Sequence, residues 1–146
     1  MSLSAFLALA VVVAILFAER VIGTGQPVGQ PPTVCTAGPP PPNQVTLHVY
    51  NATDKDGLAR AVAKNLAAQG FRIVGVGNDP KGTRITGVAQ VRYGASASLA
   101  ARTVAARFPG AQLVRDARTD NTVDVAIGEA YRRMVTPPPT PATPTC

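Results

Sequence analysis

Few residues in this chain could do chemistry. His48 is its only histidine, so a two-histidine metal site cannot form. The two cysteines, Cys35 and Cys146, lack the close spacing of a zinc-binding pair. Ser2, Ser4, Ser96 and Ser98 are the only serines, and none sits in a nucleophile elbow. Gly75-Val76-Gly77 lacks the third glycine of a dinucleotide fingerprint, and no helical pattern follows it. Asp116, Asp120 and Asp124 are spaced by four, but they fall in a loop and a strand, so no helical face presents them together. The expectation is a protein without catalysis, metal or cofactor, whose work is binding.

The best candidates for binding are His48, Tyr50, Asn51 and Arg92, and the strands around them must do the positioning. Val45, Leu47 and Val49 alternate with Thr46, His48 and Tyr50, the period of a half-buried strand. Asn51 to Asp54 then supply turn and cap residues. From Leu58 the period becomes helical: Leu58, Val62 and Leu66 share a face with Ala59 and Ala63, while Arg60 and Lys64 point away. Asp54 or Asp56 is placed to cap this helix, and Gly70 to end it.

A second strand is expected over Phe71 to Val76, a turn over Gly77 to Gly82 and a third strand over Ile85 to Tyr93. Gly94-Ala95-Ser96 opens a second helix through Phe108, stopped by Pro109-Gly110. Leu113 to Arg115 and Val123 to Ile127 read as the last strands, with a final helical turn at Tyr131 and Met134. The pattern is an α+β fold, βαββαβ-like with one extra strand, in which a small mixed or antiparallel sheet carries both helices on one face. The other face is then open. It presents Thr46, His48 and Tyr50, joined through the same alternation by Gln90, Arg92 and Asp124. His48 there suits a ligand contact, a pH switch or a plain solvated strand position. Tyr50 suits a sugar-stacking platform or the margin of the core.

The formal charge is +6. Residues 45–135 hold 13 Lys and Arg against 7 Asp and Glu, so the excess belongs to the folded part. That balance suits an anionic partner or an ordinary soluble surface with scattered arginines. Nucleic acid is not expected, because the aromatic motif of RNA-binding sheets is missing.

The ends are unlike a domain. Residues 1–22 are mostly apolar, and eighteen helical residues span about 27 Å, close to a bilayer core of about 30 Å. They read as a single-pass membrane anchor held in lipid, with a cleaved signal peptide as the alternative. Residues 23–43 form a Pro-rich tether, 44–135 the α/β domain and 136–146 a Pro/Thr-rich tail. Long proline-rich stalks and cysteines suit an extracytoplasmic side. There Cys35 and Cys146 are expected to pair as a disulfide, the alternative being two unpaired or intermolecular thiols.

The run Val45-Thr46-Leu47-His48-Val49-Tyr50-Asn51-Ala52-Thr53, followed by Gly57-Leu58-Ala59, resembles the opening of the LytR C-terminal domain family. Gly70-Phe71 with its strand, Val91-Arg92-Tyr93-Gly94, Ala100 to Phe108 and Val123 to Tyr131 are similar to the rest of it. The resemblance implies a small α/β domain outside a Gram-positive membrane. The family occurs behind a polymer-attaching phosphotransferase domain, or alone behind one membrane helix. This chain lacks the phosphotransferase domain, so that activity does not carry over. The stand-alone form is similar to actinobacterial envelope-integrity proteins, and the family offers no agreed binding residues.

Together these readings lead to a membrane-anchored, non-catalytic envelope module. Its expected partner is a cell-wall glycan or anionic wall polymer. The alternative is a scaffold that docks on wall-polymer attachment enzymes or another membrane protein.

Overall fold

The computed structural model describes residues 38–137. The expected anchor, most of the tether, both cysteines and nearly all of the tail lie outside the described residues. Among the described residues no helix is long and apolar enough to cross a membrane.

Five strands and two helices alternate as β1 (Thr46–Asn51), α1 (Leu58–Ala68), β2 (Arg72–Asn78), β3 (Ala89–Tyr93), α2 (Ser98–Ala105), β4 (Gln112–Arg115) and β5 (Thr122–Ile127). The sheet order is β2-β1-β5-β3-β4. β1 runs parallel to both β2 and β5, β3 runs parallel to β4, and the β3–β5 pair is antiparallel. The mixed sheet expected from the pattern is therefore present, with β5 as the extra strand between two βαβ units.

Both helices pack on one face of the sheet. Leu47, Val49, Val91, Val123 and Val125 meet Val62 and Leu66 of α1, Val104 of α2 and Phe108 in a single apolar cluster. Fully burying one such side chain is worth about 1.5–3 kcal/mol. The strand alternation and the helical stripe thus place the core where the sequence pattern requires it.

Local chemistry corrects several expectations. No side chain caps α1. Gly57 occupies its N-cap in the left-handed region at φ 73, where a Cβ would be strained, and so it replaces the expected Asp54 or Asp56. Gly70 ends the helix as expected, at φ 93. The Phe71 N–H reaches the Leu66 carbonyl at 3.1 Å and the Gly70 N–H the Ala67 carbonyl at 2.9 Å, the two bonds of a Schellman closure.

Ser96 does not cap α2 either. It lies in a 3-10 turn, Ala95–Ala97, and its hydroxyl donates to the carbonyls of Thr119 and Asp120 in the β4–β5 loop. The third strand starts at Ala89 and not at Ile85, because Ile85 is drawn out of the ladder. It packs with Ala52 and Ala126 against Tyr50, on the sheet face opposite the helices. Tyr131 and Met134 pack on the main core but lie in irregular chain instead of a helical turn. The backbone there is held by the Val135 N–H to the Arg107 carbonyl, 3.0 Å.

The last residues before β1 belong to the fold. Thr103 of α2 donates to the Pro40 carbonyl at 2.9 Å, and Pro42–Gln44 make a 3-10 turn. Pro39 and Pro40 face Leu99 and Ala100 across a shallow groove.

Candidate functional site

Strand register lays out the face opposite the helices in rows. His48 pairs with Gly75 of β2 on one side and with Asp124 of β5 on the other, and Asp124 pairs in turn with Arg92 of β3. The next row runs Gly77, Tyr50, Ala126 and Gln90. The alternation that buries Leu47 and Val49 therefore puts His48 and Tyr50 side by side on the outer face.

Their rings stack, with centroids 5.9 Å apart and planes within 3°. Two glycines make the room. A Cβ on Gly75 would stand 2.6 Å from Cδ2 of His48, whereas one on Gly77 would meet nothing within 4 Å. The imidazole thus leans over bare backbone of the edge strand, and the space beside Tyr50 is open. β2 is also bulged, the register slipping between Leu47 and His48, which leaves Val74 unpaired and 57% exposed.

His48 is held by Asp124, Nδ1 to Oδ1 at 3.0 Å. The other Asp124 oxygen accepts from Arg118 at 2.6 Å, and Arg118 also grips Asp116 through Nε and Nη2 at 2.9 and 2.8 Å. These bonds, first to Asp124 and then to Asp116, raise the Arg118 pKa above its already high value. The Arg118 hydrogen bonds hold the Asp116 carboxyl below the usual range. Glycine is needed where this loop passes β3, because a Cβ on Gly94 would collide with the Arg118 carbonyl oxygen. Burial raises the Tyr50 pKa and the Asp124 charge pushes the same way, so the phenol keeps its proton and remains a donor.

Arg92 lies on this face as expected but is not exposed. Its guanidinium takes both oxygens of Asp79, at 2.6 and 2.8 Å, and Nη2 donates to Gln90 at 3.1 Å. Both side chains of the Arg92–Asp79 pair are 2% exposed. Burial alone would raise the Asp79 pKa, but the Arg92 hydrogen bonds and the Lys81 N–H outweigh it and lower it. Arg92 is correspondingly raised, first by its bond to Asp79. It anchors the β2–β3 crossing loop and offers no free donor outward.

Asn51 is occupied as well. Its Nδ2 donates to the Lys55 carbonyl at 2.8 Å, and its Oδ1 accepts from the Thr53 N–H at 3.1 Å and hydroxyl at 2.8 Å. It shapes the β1–α1 turn and borders a crevice with Asn78, Asp79 and Arg84 at the carboxyl ends of β1 and β2.

Of the four expected binding residues, His48 and Tyr50 come together on accessible surface, while Arg92 and Asn51 support them. Asp79 and Arg118 were not singled out in the sequence. Each sits in a polar connecting stretch, and nothing local marks it as an ion-pair partner for a distant strand. The electrostatic outcome is specific: two arginines meet three carboxylates, so this face is not where the chain's positive excess lies. Among the described residues no Ser, Thr or Cys is hydrogen-bonded to His48, and no group of three potential ligands is placed to hold a metal. The face can stack a ring and exchange hydrogen bonds with hydroxyl groups.

The chain is similar to the cell envelope integrity protein Cei of Mycobacterium tuberculosis, with 30% identity over 121 residues, 75% of this chain and 56% of that protein. The chain therefore spans little more than half of that relative's length. Its fold is similar to the crystal structure of the soluble domain, residues 71–217, of a conserved hypothetical secreted protein from Mycobacterium marinum. That likeness has a TM-score of 0.64 at 27% identity and covers 70% of this chain and 71% of the other. Residues 44–131 match the family model described as LytR cell envelope-related transcriptional attenuator. With the matched segment running through all five strands and both helices, the chain belongs to the LytR C-terminal domain family.

Proposed function

We propose that this protein is a membrane-anchored, non-catalytic extracytoplasmic module that supports the cell envelope by binding wall glycan on its open sheet face. The observation that carries the reading is the stacked His48–Tyr50 pair beside the bare backbone of Gly75 and Gly77. Flat rings at an open edge suit the apolar face of a pyranose. Asp124, Gln90 and the protonated Tyr50 phenol lie close by to meet its hydroxyls.

Electrostatics favour one of the two wall ligands expected from the sequence. Arg92 and Arg118 are fully engaged by carboxylates, so a neutral glycan fits this face better than an anionic polymer. A second reading, a docking scaffold for another envelope protein, draws on the bulged edge strand β2 with Val74 57% and Val76 46% exposed. Such an edge can receive an added strand.

The test is co-sedimentation of a chain lacking residues 1–22 with isolated cell walls, before and after their phosphate-bearing polymers are stripped. Glycan binding predicts retention on stripped walls and little loss with salt. Tyr50→Ala should release the protein while its circular dichroism stays unchanged. No sedimentation even at low salt would remove the glycan reading and leave the scaffold.

A further inference from the structure

The free edge of β2 is unguarded. At seven residues β2 is the longest strand, and between Arg72 and Asn78 it holds only Ile, Val and Gly, without the lysine or proline that blunts exposed edges. β4, at the other edge, has four residues and ends in Arg115. The bulge disturbs β2 only in its first half, since from His48–Gly75 to Asn51–Asn78 the pairing with β1 is regular. The Asp79 N–H bonds to the Asn51 carbonyl of β1. By the alternation of a ladder, the N–H and carbonyl of Val76, three residues back, point away from β1 and meet no strand among the described residues.

Gly77 marks the same edge independently. Its φ is not positive, and a Cβ there would meet nothing within 4 Å, so neither conformation nor packing within the chain calls for glycine. A glycine in a strand weakens it and marks a place where a ligand or another backbone comes close.

The strand is also complementary to itself. Antiparallel pairing about a two-fold axis at Val76 sets Val76, 46% exposed in the single chain, against Val76 of a second copy on the helix side. On the open face Gly75 falls opposite the partner copy's Gly77. With the β1–β2 register, each row of that face then reads His48, Gly75, the partner copy's Gly77 and the partner copy's Tyr50. The two β1 strands stand three strand spacings apart, about 14 Å, with a floor of glycines between their rings. A single pyranose does not bridge that distance, but a short linear oligosaccharide does.

We infer that β2 pairs antiparallel with β2 of a second copy, joining two five-stranded sheets so that both His48–Tyr50 pairs and the glycine floor form one platform for a linear glycan. The shared platform rests on the glycan reading of the face, whereas the pairing does not. Arg60 borders Val76 beside this edge, so pairing brings two like charges near the axis. Salt screens them, and self-association therefore strengthens with salt.

The test is sedimentation of the full chain in density-matched detergent at low and high salt, with Val76→Lys and Val76→Glu for comparison. Both changes fall on a half-exposed side chain away from the open face, and circular dichroism checks that the fold is kept. The wild type is expected at twice the 15.0 kDa chain mass. Each variant alone should be a monomer, because like charges meet at the axis, and an equimolar mixture of the two should recover the dimer. A dimer that Val76→Lys leaves intact, or a mixture that stays monomeric, would overturn the inference. So would a wild-type monomer, which would leave the β2 edge to a strand of another protein. Titration with muramidase-released fragments separates the pairing from the glycan reading. The dimer should hold fragments of several disaccharides more tightly than a single disaccharide, and Val76→Lys should lose that gain while binding the single disaccharide as the wild type does. A dimer with equal affinity for short and long fragments would overturn the shared platform. A dimer that binds neither would support the pairing and overturn the glycan reading alone.

Discussion

Replacing Asp79 with Asn tests how the open sheet face is held in shape. The wild-type carboxylate takes two charge-assisted hydrogen bonds from Arg92, and both side chains are almost wholly out of water. Asp79→Asn keeps the shape but removes the charge, leaving a desolvated guanidinium with one amide oxygen and Gln90. Breaking a buried pair by removing one partner costs about 3–5 kcal/mol. That is a large share of the roughly 5–15 kcal/mol by which a domain is stable. At about 4–8 °C per kcal/mol for a domain of this size, the melting temperature should fall by at least about 12 °C. Urea denaturation followed by circular dichroism measures the loss. Asp79→Leu combined with Arg92→Met should lose less than Asp79→Asn alone, since an apolar pair has no charge to leave stranded. The pH dependence has a defined sign. The folded Asp79 pKa is lowered below 3.8, so its stabilisation is fully present above the ordinary carboxylate range and drains away as pH falls through and below that value. A loss under about 0.5 kcal/mol for Asp79→Asn, typical of a surface change, would refute the claim that this pair anchors the crossing loop.

Gly75→Ala should cost about 1–3 kcal/mol as an overpacked site. It should also push the imidazole off Asp124, visible as altered His48 ring shifts in NMR; unchanged ring shifts would contradict the ledge geometry. Gly57→Ala places a Cβ at φ 73 and should destabilise by about 1 kcal/mol or more, whereas the same change at a helix N-cap with negative φ costs far less. Cys35 and Cys146, which lie outside the described residues, should be joined. Mass spectrometry of non-reduced digests should recover one linked peptide, and reduction should cost about 4–5 kcal/mol on the chain-entropy model; two separate thiol peptides would end that expectation.

The core was legible because alternation and helical spacing are local signals. Leu47 and Val49, or Val62 and Leu66, announce their buried faces without knowledge of what covers them. His48 and Tyr50 were legible for the same reason: two residues apart on a strand, they must share its other face. What stayed hidden depends on distant partners. Arg92 reads as an outward cation until the turn after β2 brings Asp79 across two intervening strands to cover it. Ile85 reads as the start of a strand because its apolar neighbours continue the alternation. In the fold it instead fills the space over Ala52 and Ala126, a gain no local pattern encodes. The helix caps misled for a related reason. Asp54 and Asp56 are good capping types, but the Asn51–Thr53–Lys55 hydrogen bonds fix the turn so that Gly57 falls at the cap.

The proposed sugar platform is the pair of rings above the glycine ledge. A titration of the isotope-labelled protein with muramidase-released wall glycan fragments, read by NMR, tests this most directly. Saturable shifts confined to His48, Tyr50, Gly75, Gly77 and their neighbours on β5 are predicted. Shifts confined to α1 and α2, or none at millimolar fragment, would contradict it.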